Sequence, residues 1–204
     1  MTANVSGSIL TGGNSTRMGQ DKALLFVGGL PLAARVGLAL KQVGVKEVVA
    51  IGGDQTSLCK FDCIDRAIAD DFPGEGPLGG IITALRSTKA EILIVLACDT
   101  PGITSDTPAA LLAGLEANPE AAVAVAFVEG QLQPLTAAWR TSQCLTALLD
   151  VFVAGERSPR RALTSLLIVE VRDVPVSGVH DVDQPSDLDH YAAGSLADMI
   201  EESQ

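Results

Sequence analysis

The chain has 204 residues, 47% of them apolar, which is enough to bury a hydrophobic core in one domain. Its formal net charge of −11, with no run of Lys or Arg to offset it, argues against extended binding to nucleic acid or to an anionic membrane. A small anion is still compatible, because one phosphate needs only a few backbone N–H donors and one or two cations gathered by a single loop.

In chain order, Val5 to Thr11 reads as a buried parallel strand, short and partly β-branched, ended by Gly12-Gly13. A polar loop follows. Pro31 then opens a helix through Val43, with Leu32, Val36, Leu40 and Val43 at helical spacing and Gly44 as its stop. Glu47 to Ile51 and Cys63 to Ala69 read as strands, Pro77 to Arg86 as a helix, and Glu91 to Ala97 (EILIVLA) as a strand buried on both faces. Ser105 to Leu115 is the next helix, with Ser105 or Asp106 as its cap, and Ala121 to Phe127 the next strand. Glu129 to Trp139, turning at Gly130, reads as an antiparallel hairpin at the sheet edge, followed by a helix over Thr141 to Ala154 and a strand over Leu166 to Val171. A short helix from about Pro185 to Gly194 precedes a polar, frayed tail. This alternation predicts an α/β fold, a mostly parallel sheet with helices on both faces.

No apolar run approaches the roughly 18 residues of a membrane helix, and the opening MTANVSGS lacks the basic and apolar regions of a signal peptide, so a cytoplasmic protein is expected. Cys59, Cys63, Cys98 and Cys144 show no CxxC spacing, and His180 and His190 lie far from them, which predicts buried free thiols rather than zinc or disulfides.

In open α/β sheets, ligands bind beyond the carboxyl ends of the strands. Three such places carry chemistry here. After the first strand comes LTGGNSTRMGQDK, residues 10 to 22, in which Gly12 and Gly13 let the backbone wrap a phosphate while Arg17 and Lys22 supply charge. It is neither a Walker A loop nor a GxGxxG. After EILIVLA comes Cys98-Asp99-Thr100-Pro101, where Asp99 points a carboxylate into the crevice as a Mg²⁺ ligand, or closes an Asx turn before Pro101. Near the end, VHDVDQPSDL puts Asp181 and Asp183 on one side of an extended segment, where either can join Asp99 around a metal; the equal alternative is a cap for the helix begun at Pro185. Between these lies Asp70-Asp71-Phe72-Pro73-Gly74-Glu75-Gly76-Pro77-Leu78-Gly79-Gly80, a loop entering a helix whose first glycines permit close approach of a flat ligand.

Together and in this order, from about Ser8 to Tyr191, these pieces resemble the molybdenum cofactor guanylyltransferases and their nucleotidyltransferase relatives. The family's LAGGxxxRMGxDK is matched by LTGGNSTRMGQDK, with Thr11 in place of Ala. Its acidic residue before PGxGPLxG corresponds to Asp70, its CDTP element to Cys98 through Pro101, its GxRS element to Gly155, Arg157 and Ser158, and its DVDTPEDL-like ending to Asp181 through Leu188. Two departures stand out: Ile51-Gly52-Gly53 where an Asn can follow the second strand, and Gln133-Pro134 in place of His-Pro. Cytidylyl relatives resemble LAAG in the first loop, so Gly12-Gly13 and the segment Gly76 to Gly80 favour guanine.

The resemblance implies a Rossmann-like fold of the nucleotide-diphospho-sugar transferase type, with residues 1–195 forming one domain. About 5–100 would bind nucleotide, about 101–195 the acceptor, and 196–204 would be the frayed tail. Leu10, Thr11, Gly12, Gly13, Gly79 and Asp70 would contact the nucleotide, Lys22 its phosphates, and Asp99 with Asp183 the Mg²⁺. Arg17, Lys22 and Asp99 would be catalytic, and Gln133, Arg157, Ser158 and Arg160 would face the pterin. The substrates implied are GTP and molybdopterin, with transient contact to other molybdenum cofactor proteins. The rival readings are a nucleotidyltransferase for another pairing, such as CTP with molybdopterin, a sugar phosphate or phospholactate, and a GTP-binding module without turnover.

Overall fold

A computed structural model describes residues 4–12 and 21–180. Gly13, Arg17, Asp181, Asp183 and the helix expected from Pro185 lie outside these residues.

The chain begins with β1 (Val5–Leu10) and, after a short 3₁₀ turn, a small ribbon of β2 (Phe26–Val27) and β3 (Leu30–Pro31). Then follow α1 (Leu32–Gln42), β4 (Val48–Ile51), α2 (Gln55–Leu58), β5 (Arg66–Ile68), α3 (Pro77–Ser87) and β6 (Ile92–Ala97). The second half comprises α4 (Asp106–Ala117), β7 (Val123–Val128), β8 (Gln131–Arg140), α5 (Thr141–Val153), α6 (Pro159–Ala162) and β9 (Ile168–Val171). Seven strands form one sheet in the order β5-β4-β1-β6-β8-β7-β9. Only β8 runs against the rest.

Alternation along the strands builds two cores, one on each face of the sheet. In β6, Ile92, Ile94 and Leu96 pack on the side of α1 and α4, whereas Leu93 and Val95 pack on the side of α3 and α5. A strand covered on both faces needs apolar residues at every position, which is why EILIVLA is continuous rather than alternating. The helices begin and end where local chemistry dictates: Gly44 takes φ +79 just beyond α1, and Pro77 opens the first turn of α3 behind Gly76 at φ +85.

The expected hairpin forms, but its place in the sheet differs from an edge. Glu129 and Gly130, at φ 52 and φ 78, make the tight two-residue turn that matches the twist of paired strands. Through it β8 folds back beside β7 and inserts between β7 and β6, pairing with both. Ala137, Ala138 and Trp139 are accordingly buried, and among the described strands the edges fall to β5 and β9. The turn residues dictate that a hairpin forms but carry no information on what pairs with its outer side.

Of the four cysteines expected to be buried, Cys63, Cys98 and Cys144 are buried, while Cys59 is exposed at the end of α2. Burial pushes all three inner thiols up, Cys144 to about 12. Since the thiolate is the reactive form, a thiol reagent at pH 8 should add one label to the native chain and four after unfolding, read by intact mass. Two rapid native labels would contradict this packing.

Candidate functional site

The sheet changes direction of winding between its neighbours β1 and β6. From β1 the chain steps outward to β4 and β5, then returns to β6 on the other side. The chain leaves β1 and β6, which stay paired as far as Leu10 and Ala97, toward opposite edges of the sheet, and such a switch point is where open α/β sheets hold ligands.

At the end of β1, Thr11 ties that strand to its neighbour. The Thr11 hydroxyl donates to the carbonyl oxygens of Ile51 (2.9 Å) and Gly52 (3.0 Å), and the backbone N–H groups of Thr11 and Gly12 both donate to Ile51 O at 3.0 Å. The Gly12 N–H is thus directed at β4, not outward toward a phosphate. Gly52, at φ +82, lies so close that a Cβ there would stand 2.8 Å from the Gly12 Cα. Glycines at 12 and 52 let two strand ends meet backbone to backbone.

Lys22 begins the 3₁₀ turn Lys22–Leu24. Asp21 caps that turn by accepting from Ala23 N (3.0 Å), and its other oxygen accepts from Asp54 N (2.9 Å). Asp21 went unrecognised in the sequence, although an Asp before a helical turn is a cap signal. Lys22 Nζ donates to Asp99 Oδ2 at 3.0 Å, and the two side chains are 16% and 26% exposed. Asp99, at the end of β6, reaches across 77 positions of chain rather than closing a local Asx turn.

Asp70 follows β5. Its Oδ1 accepts from Phe72 N (3.0 Å) and from the hydroxyl of Thr83 (2.8 Å) on α3. The glycines opening α3 admit protein atoms: a Cβ on Gly79 would stand 2.8 Å from Phe72 Cβ, and one on Gly80 3.4 Å from a Leu10 methyl.

A cleft of about 500 Å³ opens beside Asp99, between the β7–β8 hairpin and α6. Gln133, Ser158 and Arg160, three of the four residues expected at an acceptor site, line it together with Asp99. Arg160 donates to Gln131 Oε1 (3.1 Å) and Leu132 O (2.9 Å), and the Ser158 hydroxyl caps α6. Arg157 does not line the cleft. Its guanidinium lies 3.9 Å from the centre of the Phe152 ring, ion-pairs with Glu75 and donates to the Phe152 and Glu156 carbonyls, so it braces the loop before α3 against the end of α5. Nearby, hydrogen bonds from Arg161 and from the Ser158 and Arg157 backbone hold the Glu156 carboxyl down at about 2. Gln131 and His180 also line the cleft; neither was expected as a site residue, although His180 stands in the VHDVDQPSDL segment.

Among the described residues, no group of three or more His, Cys, Asp or Glu gathers into a ready metal cage. Asp99 fits a different kind of site. Mg²⁺ commonly takes one or two carboxylates and completes its shell with water and substrate phosphates, and Asp99 offers one carboxylate at the mouth of a polar cleft next to a cation. No helix of the described residues is long and apolar enough to cross a membrane.

Residues 7–171 match the family model described as the MobA-like NTP transferase domain. A probable molybdenum cofactor guanylyltransferase of Chloroflexus aggregans is 38% identical over 168 residues, which is 79% of this chain and 77% of that protein. The molybdenum cofactor guanylyltransferase of Shewanella halifaxensis is 37% identical over 161 residues, 77% of this chain and 78% of its own length. Among solved structures, molybdopterin-guanine dinucleotide biosynthesis protein A from Archaeoglobus fulgidus superposes with a TM-score of 0.71 at 22% identity, covering 92% of this chain and 96% of that one, a likeness of fold.

Proposed function

As a member of the MobA-like NTP transferase domain family, to which it belongs over residues 7–171, the chain is a nucleotidyltransferase, and we propose that it is a molybdenum cofactor guanylyltransferase. It moves GMP from GTP to the terminal phosphate of molybdopterin and releases pyrophosphate. The observation that carries this reading is the Lys22–Asp99 pair at the junction of β1 and β6, opening on a cleft lined by Gln133, Ser158 and Arg160.

The acceptor phosphate is already anionic at neutral pH, so the transfer needs no general base from the protein. The site must instead bring two anions together, align them and offset the charge that builds on the leaving pyrophosphate. Lys22 turns from Asp99 to the triphosphate when GTP enters, and Arg17 adds a second cation. Asp99, released from that pair, would hold Mg²⁺, with Asp183 as second ligand, and the ion would supply charge neutralisation for the phosphates. Arg160 and Ser158 hold the acceptor on the opposite wall of the cleft, with Gln133 donating to it from β8. Leu10, Thr11 and Gly12 with Asp70 border the place of the base, and Gly13 extends that border, whereas Gly79, packed on Phe72, supports it from behind.

The test is pyrophosphate release by the full chain with molybdopterin and Mg²⁺, supplied with GTP, CTP or ATP in turn. GTP alone should support release. A preference for CTP overturns the guanylyl assignment and leaves the reaction type, whereas GTP binding without release to molybdopterin or to sugar phosphates turns the chain into a binding module.

A further inference from the structure

Thr83 lies on α3 with 2% of its surface exposed, yet its hydroxyl is the centre of the polar contacts around Asp70. It accepts the Asp71 N–H at 3.1 Å. Its single hydrogen faces two acceptors, Asp70 Oδ1 at 2.8 Å and Gly79 O at 3.0 Å. Phe72 N donates to the same Asp70 Oδ1 at 3.0 Å. One oxygen of the carboxylate is therefore held from two sides by protein donors, while Oδ2 accepts no hydrogen bond among the described residues. That oxygen lies 4.0 Å from where a Cβ of Gly80 would stand, and a Leu10 methyl lies 3.4 Å from the same point. Asp70 Oδ2 thus looks toward the end of β1.

A carboxylate repels phosphate, and Lys22, the cation read as the phosphate contact, pairs with Asp99 rather than with Asp70. The partner that suits Asp70 Oδ2 is a hydrogen-bond donor on the nucleoside part of the nucleotide. A free carboxylate samples several rotamers, and each unproductive one weakens binding by the fraction of time it is occupied.

We propose that Thr83 is a positioning residue for nucleotide binding: its buried hydroxyl locks the Asp70 side chain so that Oδ2 is presented to GTP. This rests on the reading of Asp70 as a nucleotide contact. Because Thr83 acts through Asp70 and away from the reacting phosphates, it governs KM for GTP and not kcat.

The experiment is a double-mutant cycle on the full chain, measuring GTP affinity by calorimetry and KM and kcat by pyrophosphate release. T83V keeps the shape and removes the hydroxyl, and should raise Kd and KM for GTP about tenfold, the scale of one hydrogen bond to a charged group, with kcat within about twofold. T83S should restore wild-type values. In a D70A background T83V should add no further loss. Wild-type GTP affinity in T83V, or an equal loss from T83V with Asp70 already removed, overturns the proposal, the second result marking a merely structural role. Unchanged affinity in D70A overturns the role of Asp70 and that of Thr83 together. If T83V does not fold, T83C provides the same comparison with a weak donor of similar size. A wild-type chain that fails to bind GTP defeats the functional reading itself, whereas wild-type binding with an indifferent T83V defeats only Thr83.

Discussion

Asp99→Ala is expected to slow guanylyl transfer by about a hundredfold or more, the loss of about 3 kcal/mol that follows removal of a main electrostatic contact to a reacting group. Asp99 stands at the end of the central strand β6, paired with Lys22 at 3.0 Å, and opens on the cleft. Its deletion removes the carboxylate proposed to hold Mg²⁺ and also an ion-pair partner of the Lys22 ammonium. The pair is partly exposed, so the effect on folding is small, about 1 kcal/mol or less. That contrast separates the two roles. Single-turnover pyrophosphate release at saturating GTP should fall while the thermal midpoint stays within a few degrees. Lys22→Ala is expected to lose a similar factor, and the double variant little more than either alone, because both changes disable one transfer step. Turnover of Asp99→Ala within about threefold of wild type would remove Asp99 from the chemistry.

Gly52→Ala is the second large effect, and it acts through the backbone. At φ +82 an L-residue is strained, and the added methyl would stand 2.8 Å from Gly12 Cα and 3.0 Å from Gly12 N. No side-chain rotation relieves a clash between main-chain atoms, so the ends of β1 and β4 must separate. This breaks the Thr11 and Gly12 hydrogen bonds to Ile51. We expect a stability loss of about 2 to 3 kcal/mol in urea unfolding together with weakened GTP binding. Gly44→Ala supplies the control: its φ is also positive, at +79, but a Cβ there meets nothing within 4 Å, so only the conformational cost of about 1 kcal/mol applies. Equal losses for the two variants would mean that the contact between Gly52 and Gly12 carries no weight.

Much of the framework was legible in the residues, and the reason differs by element. The bounds of α1 and α3 were readable because Pro31, Gly44 and Pro77 act within a few residues, and β6 because burial on both faces demands an unbroken apolar run. The ribbon of β2 and β3, with Gly28-Gly29 at its turn, and the four-residue helices α2 and α6 were missed, being too short to show a period. Cys63 to Ala69 looked like a longer strand than it is: only Arg66 to Ile68 pair with β4, since Cys63 and Ile64 are buried by turn packing instead. At the site, Asp99 was a candidate because it follows a strand, Lys22 because it brings charge to the glycine-rich loop, and Asp70 because the family pattern has an acidic residue there, but Arg157 could not be separated from Ser158 and Arg160. Three polar residues in four positions look alike until the fold decides that one stacks on Phe152 and the others face the cleft.

What the sequence by itself determined was the set of elements and the residues placed at their ends, because apolar period, capping and turn preference are interactions over a few residues. Which strand lies beside which was decided only by tertiary structure. The hairpin at Glu129-Gly130 follows from two residues, yet the insertion of β8 between β6 and β7 depends on pairings across about forty positions. The same holds for chemistry. Lys22 meets Asp99 across 77 positions and Glu75 meets Arg157 across 82, and no local pattern records either pair. Their meeting depends on the sheet order, and the sheet order depends on burying two apolar faces at once.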